Sequence, residues 1–123
     1  MKGEELLDKY PKAGELVTNW YLQRFLDSMN AENLPEDFKK YAMEAGLSKD
    51  RVGPLIDTNP RVLFDFFDKK KIYIETIVDV DGGFWWKIGD KKSSVGYEYR
   101  TNCDSAAIEE SFKQLEEICQ TSS

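Results

Sequence analysis

The sequence predicts an α+β fold: a helical N-terminal half, a three-stranded antiparallel β-meander, and a C-terminal helix packed on the sheet. Three observations carry that expectation. Val17, Tyr21, Phe25 and Met29 recur at every fourth residue, the spacing of one helix face. From Lys71 the apolar period drops to two, through Ile72, Ile74, Thr76, Val78 and Val80. A helical stripe then returns in Ile108, Phe112, Leu115 and Cys119. Helices are expected over about 3–70, strands over about 71–101 and a last helix over about 105–120, in a single domain spanning 1–123.

Leu6, Leu7 and Tyr10 give a short amphipathic start that Pro11 interrupts. The stripe from Val17 is widened by Leu22 and Leu26 on one side and by Leu16 and Trp20 on the other, enough for a principal core helix ending by Asn30. Pro35 suits a helix start, and Glu36 and Asp37 follow it where acids favour the helix dipole. Phe38, Tyr41, Ala42 and Ala45 supply that helix with a face to bury, and Gly46 a C-terminal cap. Ser48 caps a further short turn that Pro54 is expected to break, unless Pro54 starts a new turn after Gly53. Asn59-Pro60 reads as a cap and first helical residue, which favours a buried helix over a strand for Val62 to Phe67, although so short an apolar run fits both periods.

Asp81-Gly82-Gly83 is a hairpin signal. Read as a three-residue loop, it sets Phe84 opposite Val80 and Trp86 opposite Val78, and gathers Phe84, Trp86 and Ile88 on the apolar face. A second loop near Asp90 to Ser94 leads to a third strand, Val95 to Thr101, and Asp104 then caps the last helix.

The chain has 123 residues, 41% hydrophobic and 33% charged, with a net charge of −6. These are globular proportions, and no apolar run approaches the ~20 residues a membrane-spanning helix needs. The acidic balance disfavours nucleic acid and anionic membranes as partners. The N-terminus lacks an apolar core of signal-peptide length. Cys103 and Cys119 fall near opposite ends of one expected helix, roughly 24 Å apart at 1.5 Å per residue, too far for a disulfide. Free thiols without an export signal point to a cytoplasmic setting.

The stretch Ala42 to Leu55 resembles a helix-turn-helix: Ala42, then Gly46 in the turn, then Val52 and Leu55 seating the second helix. The resemblance implies a DNA-binding accessory role for a degenerate motif over 38–57, with Lys49 and Arg51 on the exposed early turns meeting phosphates or base edges. Gly53-Pro54 inside the second helix and the acidic chain favour a plain helical corner, because an interior proline costs about 3 kcal/mol. Asp79-Val80-Asp81-Gly82 resembles the start of a calcium loop, but the twelfth position is Asp90 and Phe84, Trp85 and Trp86 lie between, so a hairpin explains it better.

No histidine is present, which excludes Ser-His-Asp and Cys-His arrangements, and no Gly-rich phosphate loop occurs. Cys103 near a helix N-terminus is the one candidate for a lowered thiol pKa, without a base beside it. The expectation is therefore a small, soluble, non-enzymatic protein with no cofactor and no metal site, save for carboxylate-only chemistry. Its aromatic content, 13%, exceeds what a minimal core requires and suggests a protein-interaction or adaptor module, with a protein partner or a second copy of itself as homodimer. Tyr73, Ile77 and Trp85 share the sheet face opposite the main core and form the candidate interaction surface, provided no N-terminal helix covers them.

Overall fold

A computed structural model describes residues 1–31, 35–45 and 49–121, with the backbone alone at residues 29, 31, 39, 42–45, 49 and 50. The expected α+β architecture is present. Five helices come first: α1 (Gly3–Lys9), α2 (Pro11–Ala31), α3 (Glu36–Ala45), α4 (Lys49–Thr58) and α5 (Leu63–Lys69), the last preceded by a 3-10 turn at Pro60–Val62. An antiparallel sheet follows in the order β1 (Ile74–Val78), β2 (Phe84–Ile88), β3 (Lys91–Lys92), and α6 (Arg100–Thr121) closes the fold.

The long last helix organises the core. Cys103, Ala107, Ile108, Ser111, Phe112 and Leu115 are all buried along it, so α6 meets the sheet on one side and α2 and the Pro60–Val62 turn on the other. Aromatic rings link the layers. Trp20 lies 5.7 Å from Phe66, Phe66 lies 5.0 Å from Phe67, and Phe67 lies 5.7 Å from Phe112, each pair tilted or edge-on as ring quadrupoles prefer. The apolar run after Asn59-Pro60 is thus helical and buried, with Leu63 and Phe67 fully enclosed. Asn59 makes no side-chain cap bond there.

The α2 stripe is buried only in its first half. Ala13, Val17 and Tyr21 are enclosed, whereas Phe25 is exposed because α2 runs past the body formed by α6 and the sheet. Phe38 and Tyr41, expected to be buried, are exposed on α3, which packs against α2. The caps proposed at Gly46 and Ser48 lie outside the described residues.

Pro54 does not break its segment. Helix α4 runs unbroken from Lys49 to Thr58, and the hydroxyl of Thr58 donates to the Pro54 carbonyl at 2.8 Å. The helix is held from its side by α1, with Gly53 against the backbone of Gly3 and Glu4 and with Gly3 donating its N–H to Asp57 Oδ1 at 2.7 Å. Val52 and Ile56 are buried, but Leu55, expected to pack inward, is exposed. Docking on α1 selects positions 52, 53 and 56, one step round the helix from 55.

The hairpin register differs from expectation by two residues. Val78 pairs with Phe84, Thr76 with Trp86 and Ile74 with Ile88. The three-residue loop is 80–82 rather than 81–83, because Gly82 takes φ 91° and donates its N–H to the Asp79 carbonyl at 3.0 Å. Moving the loop by one residue moves every pair by two. An even shift keeps each side chain on its face, so Trp86 and Ile88 still point into the core.

The third strand also lies elsewhere. Gly89-Asp90 makes a two-residue turn, so pairing resumes at Lys91 and Lys92, opposite Ile88 and Lys87. Residues 94–96 then bulge out, and only Tyr97, exchanging both backbone bonds with Phe84 at 2.7 and 2.8 Å, returns to the ladder. Helix α6 starts at Arg100, its first backbone bond running from Cys103 N–H to the Tyr99 carbonyl, so Val95 to Thr101 is not a strand. Asp104 is consequently a buried residue in the first turns of α6 and not its cap.

Candidate interaction surface

The sheet covers α6 with one face and leaves the other open. Odd-numbered positions of β1 and β2 line the open face, since neighbours along a strand alternate. Ile77 stands directly opposite Trp85, and Glu75 directly opposite Lys87. Tyr73 precedes β1, and its place two residues before Glu75 leaves it roughly 13 Å along the strand from Ile77. The structure thus brings Ile77 and Trp85 into one cross-strand pair, and places Tyr73 at the far end of the same face beyond the Glu75–Lys87 pair.

Exposure grades the three residues. Tyr73 is 60% exposed and Ile77 37%, while Trp85 is half-buried. The bulge explains Trp85. Its indole lies on the backbone of Gly96, where an added Cβ would come within 3.1 Å of the ring, and the Lys92 ammonium sits 5.3 Å from the ring centroid. The ring is therefore held in place by its own chain with one surface outward.

The inner face supplies two anchors for this platform. Asp104 of α6, 4% exposed, accepts from Thr76 Oγ1 at 3.3 Å and from Arg61 Nη1 at 3.3 and 3.5 Å. One buried carboxylate so ties β1, the 3-10 turn and α6 together. Ser93 donates its N–H to the Trp86 carbonyl at 2.9 Å, and its hydroxyl accepts the Trp86 N–H at 3.2 Å. Charged and paired groups of this kind hold strand positions more tightly than neutral exposed bonds.

Sequence reasoning missed the most exposed apolar residues of the hairpin. Val78 is 57% exposed and Val80 99%. Both belong to the inward set by parity, but Val78 ends β1 and Val80 falls in the hairpin loop. The signal was the length of the alternating run, which outlasts the five residues of β1 that pair with β2.

The nucleic-acid candidates fall apart from this surface. Arg51 is exposed on α4, whereas the side chain of Lys49 and the corner at 46–48 lie outside the described residues. Helix α4 docks on α1, with Gly53 against the backbone of Gly3 and Glu4.

An open groove of about 540 Å³ runs between the end of α1 and α6, bordered by Lys9, Glu109, Lys113, Glu116 and Glu117. Its buried acid, Glu116, accepts the N–H groups of Lys12 and Ala13, and Glu110 pairs with Lys91 at 2.7 Å. Glu116 thus ties α6 to α2, and Glu110 ties α6 to β3. Cys103 is fully buried, and desolvation, with Asp104 beside it, pushes its thiol pKa up, against the weaker pull of Arg100 and Arg61. The lowering expected at a helix N-terminus is overturned by burial. No group of three or more His, Cys, Asp or Glu residues among those described is placed to hold a metal ion, and no helix among them is long and apolar enough to cross a membrane.

No family model, curated protein or solved structure matches this chain.

Proposed function

We propose that this chain is a cytoplasmic, non-enzymatic protein-interaction or adaptor module that docks partners on the open face of its sheet. The observation that carries the reading is the apolar cross-strand pair Ile77–Trp85 on the open face of the sheet, with exposed Tyr73 beside it. Such a rigid aromatic and aliphatic set, flanked by Glu75 and Lys87, has the composition of an interface centre with a charged rim. The non-enzymatic part rests on the lack of histidine and on the use of the buried acids, Asp104 and Glu116, as ties within the fold.

Photocrosslinking tests it. A benzoylphenylalanine placed at Tyr73 should yield a discrete protein adduct in an extract of the source cell. The same group at Glu5, exposed on α1, should not. Ile77→Lys should abolish the Tyr73 adduct. An absence of adduct, or equal adducts from both positions, ends this reading.

A second reading has one observation in its favour: α4 is continuous through Pro54 and presents Arg51 to solvent. As a DNA-binding accessory protein the chain would bind duplex at low salt, with affinity falling steeply as salt rises. Arg51→Ala should then weaken that binding, and no binding at low ionic strength excludes it.

A further inference from the structure

We infer that the partner of the sheet is a second copy of this chain, joined edge to edge through β1 into one continuous six-stranded antiparallel sheet. The inference goes beyond the docking reading: it takes the edge of the sheet and leaves the Ile77–Trp85 face open.

β1 is an edge strand, since the sheet order is β1-β2-β3. The Asp79 N–H donates to the Gly83 carbonyl at 2.8 Å, so the odd-numbered residues of β1 direct their backbone groups toward β2. Ile74, Thr76 and Val78 therefore point theirs away from the sheet, and among the described residues nothing bonds them. Natural edges are usually blunted by proline, a bulge or an inward lysine. The strand Ile-Glu-Thr-Ile-Val contains none of these.

The sequence around the strand is complementary to itself when reversed. Lys69, Lys70 and Lys71 precede β1, and Asp79 and Asp81 follow it. An antiparallel copy centred on Thr76 sets Ile74 against Val78 of the second copy, with each outward residue in a hydrogen-bonded pair. The same register puts Tyr73 beside Asp79 of the second copy. It also brings the lysines at 69–71, which end α5 and form the turn before β1, to the end of the pairing where the second copy's Asp79 and hairpin-loop Asp81 lie, at both ends by symmetry. Lys71 and Asp81 are both exposed, and neither makes an ion pair with the other within one chain. Exposed Val78 gains an aliphatic neighbour in Ile74 of the second copy, and the two open faces join into one, with Ile77 opposite Glu75. A parallel copy would set both charge clusters against their own sign, and an unrelated acidic strand would set Asp79 and Asp81 against acids.

Sedimentation equilibrium on the whole chain tests this. The expected mass is about twice the 14.2 kDa of one chain at tens of micromolar. Val78→Pro removes an N–H that points outward, so it should leave the β1–β2 ladder intact and give a monomer. Charge reversal supplies a second measure. Asp81→Lys alone and Lys71→Asp alone each place like charges at both ends of the pairing and should weaken association roughly tenfold. Mixing the two variants restores both opposite-charge contacts and should recover the dimer. The result that overturns the inference is a monomeric wild-type chain at 100 µM or more, or a dimer indifferent to Val78→Pro and to the charge exchange. A Tyr73 adduct with a different protein, from a monomeric chain, would sink self-pairing and leave the interaction reading standing.

Discussion

The carboxylate of Glu116 accepts the backbone N–H of Ala13 at 2.7 Å, a bond that joins the last turns of α6 to the first turn of α2 across most of the chain's length. The other oxygen accepts from Lys12 at 3.2 Å. Helix α2 begins at Pro11, and the residue before it is Tyr10, not a capping type, so the N–H groups of Lys12 and Ala13 are satisfied from outside. Glu116 is 5% exposed, and its charge sits at the positive end of the helix dipole.

Removing that carboxylate should destabilise the fold without touching the sheet. Glu116→Ala leaves two N–H groups without their acceptor and should lower the unfolding free energy by about 2 kcal/mol. Glu116→Gln keeps one acceptor oxygen and should lose about half as much. Urea denaturation measures both, and equal stabilities of the three proteins would show that the contact carries no net energy.

Local pattern made the faces of this fold legible and left the pairing open. Alternation from Ile72 onward placed Trp86 and Ile88 inward correctly, because parity survives any even shift of register. It could not choose which residue of Asp81-Gly82-Gly83 takes the left-handed conformation, since both glycines can, and that choice fixed every cross-strand partner. The Val17, Tyr21, Phe25 stripe marked a helix face but not the point where the body beneath it ends, so Phe25 was assigned to a core that stops at Tyr21. Asp104 resembled a cap because the chain before it alternated like a strand. The bulge at 94–96 ended that strand early and let the helix begin a turn sooner. For the candidate surface, shared placement of Tyr73, Ile77 and Trp85 on one face followed from parity alone. The status of β1 as an unpaired edge depends on sheet order, which no local pattern encodes.

The two thiols should differ sharply in reactivity. Cys103 is buried with its pKa raised, so little thiolate forms and reagents cannot reach it. Cys119 is partly exposed near the end of α6. A disulfide reagent at pH 8 should therefore label one thiol promptly and the second only when denaturant is added. Prompt labelling of both would mean that α6 opens at its N-terminal end in the native state.

Gly53 is the contact through which α4 lies on α1. A methyl group there would come within 2.8 Å of the Glu4 backbone nitrogen, and backbone cannot turn aside as a side chain can. In an exposed helix, glycine to alanine gains about 1 kcal/mol. Here overpacking opposes that gain, and Gly53→Ala should cost about 1 to 2 kcal/mol net. Thermal denaturation reads the sign directly, and a stabilised variant would mean that the two helices are not in close contact in solution.

Tyr21 should set the alkaline limit of stability. Burial pushes its phenol from the ordinary 10.0 up to about 12, with Arg24 pulling the other way, and no hydrogen-bond partner for the hydroxyl exists among the described residues. The folded chain holds this proton more tightly than the unfolded chain does. Below pH 10 both states keep the proton, and the stabilising difference is fully present. Between pH 10 and about 12 unfolding releases the proton, so stability falls as pH rises, by about 2 to 3 kcal/mol at most. Tyr21→Phe has no proton to lose at this site and removes an unpaired buried hydroxyl. It should match or exceed the wild-type stability by about 1 kcal/mol at pH 7 and should lose less above pH 10. Parallel denaturant titrations from pH 7 to 11.5 make the comparison. Identical alkaline decline in both proteins would place the titrating group elsewhere, and a large loss at pH 7 would show that the hydroxyl has a partner.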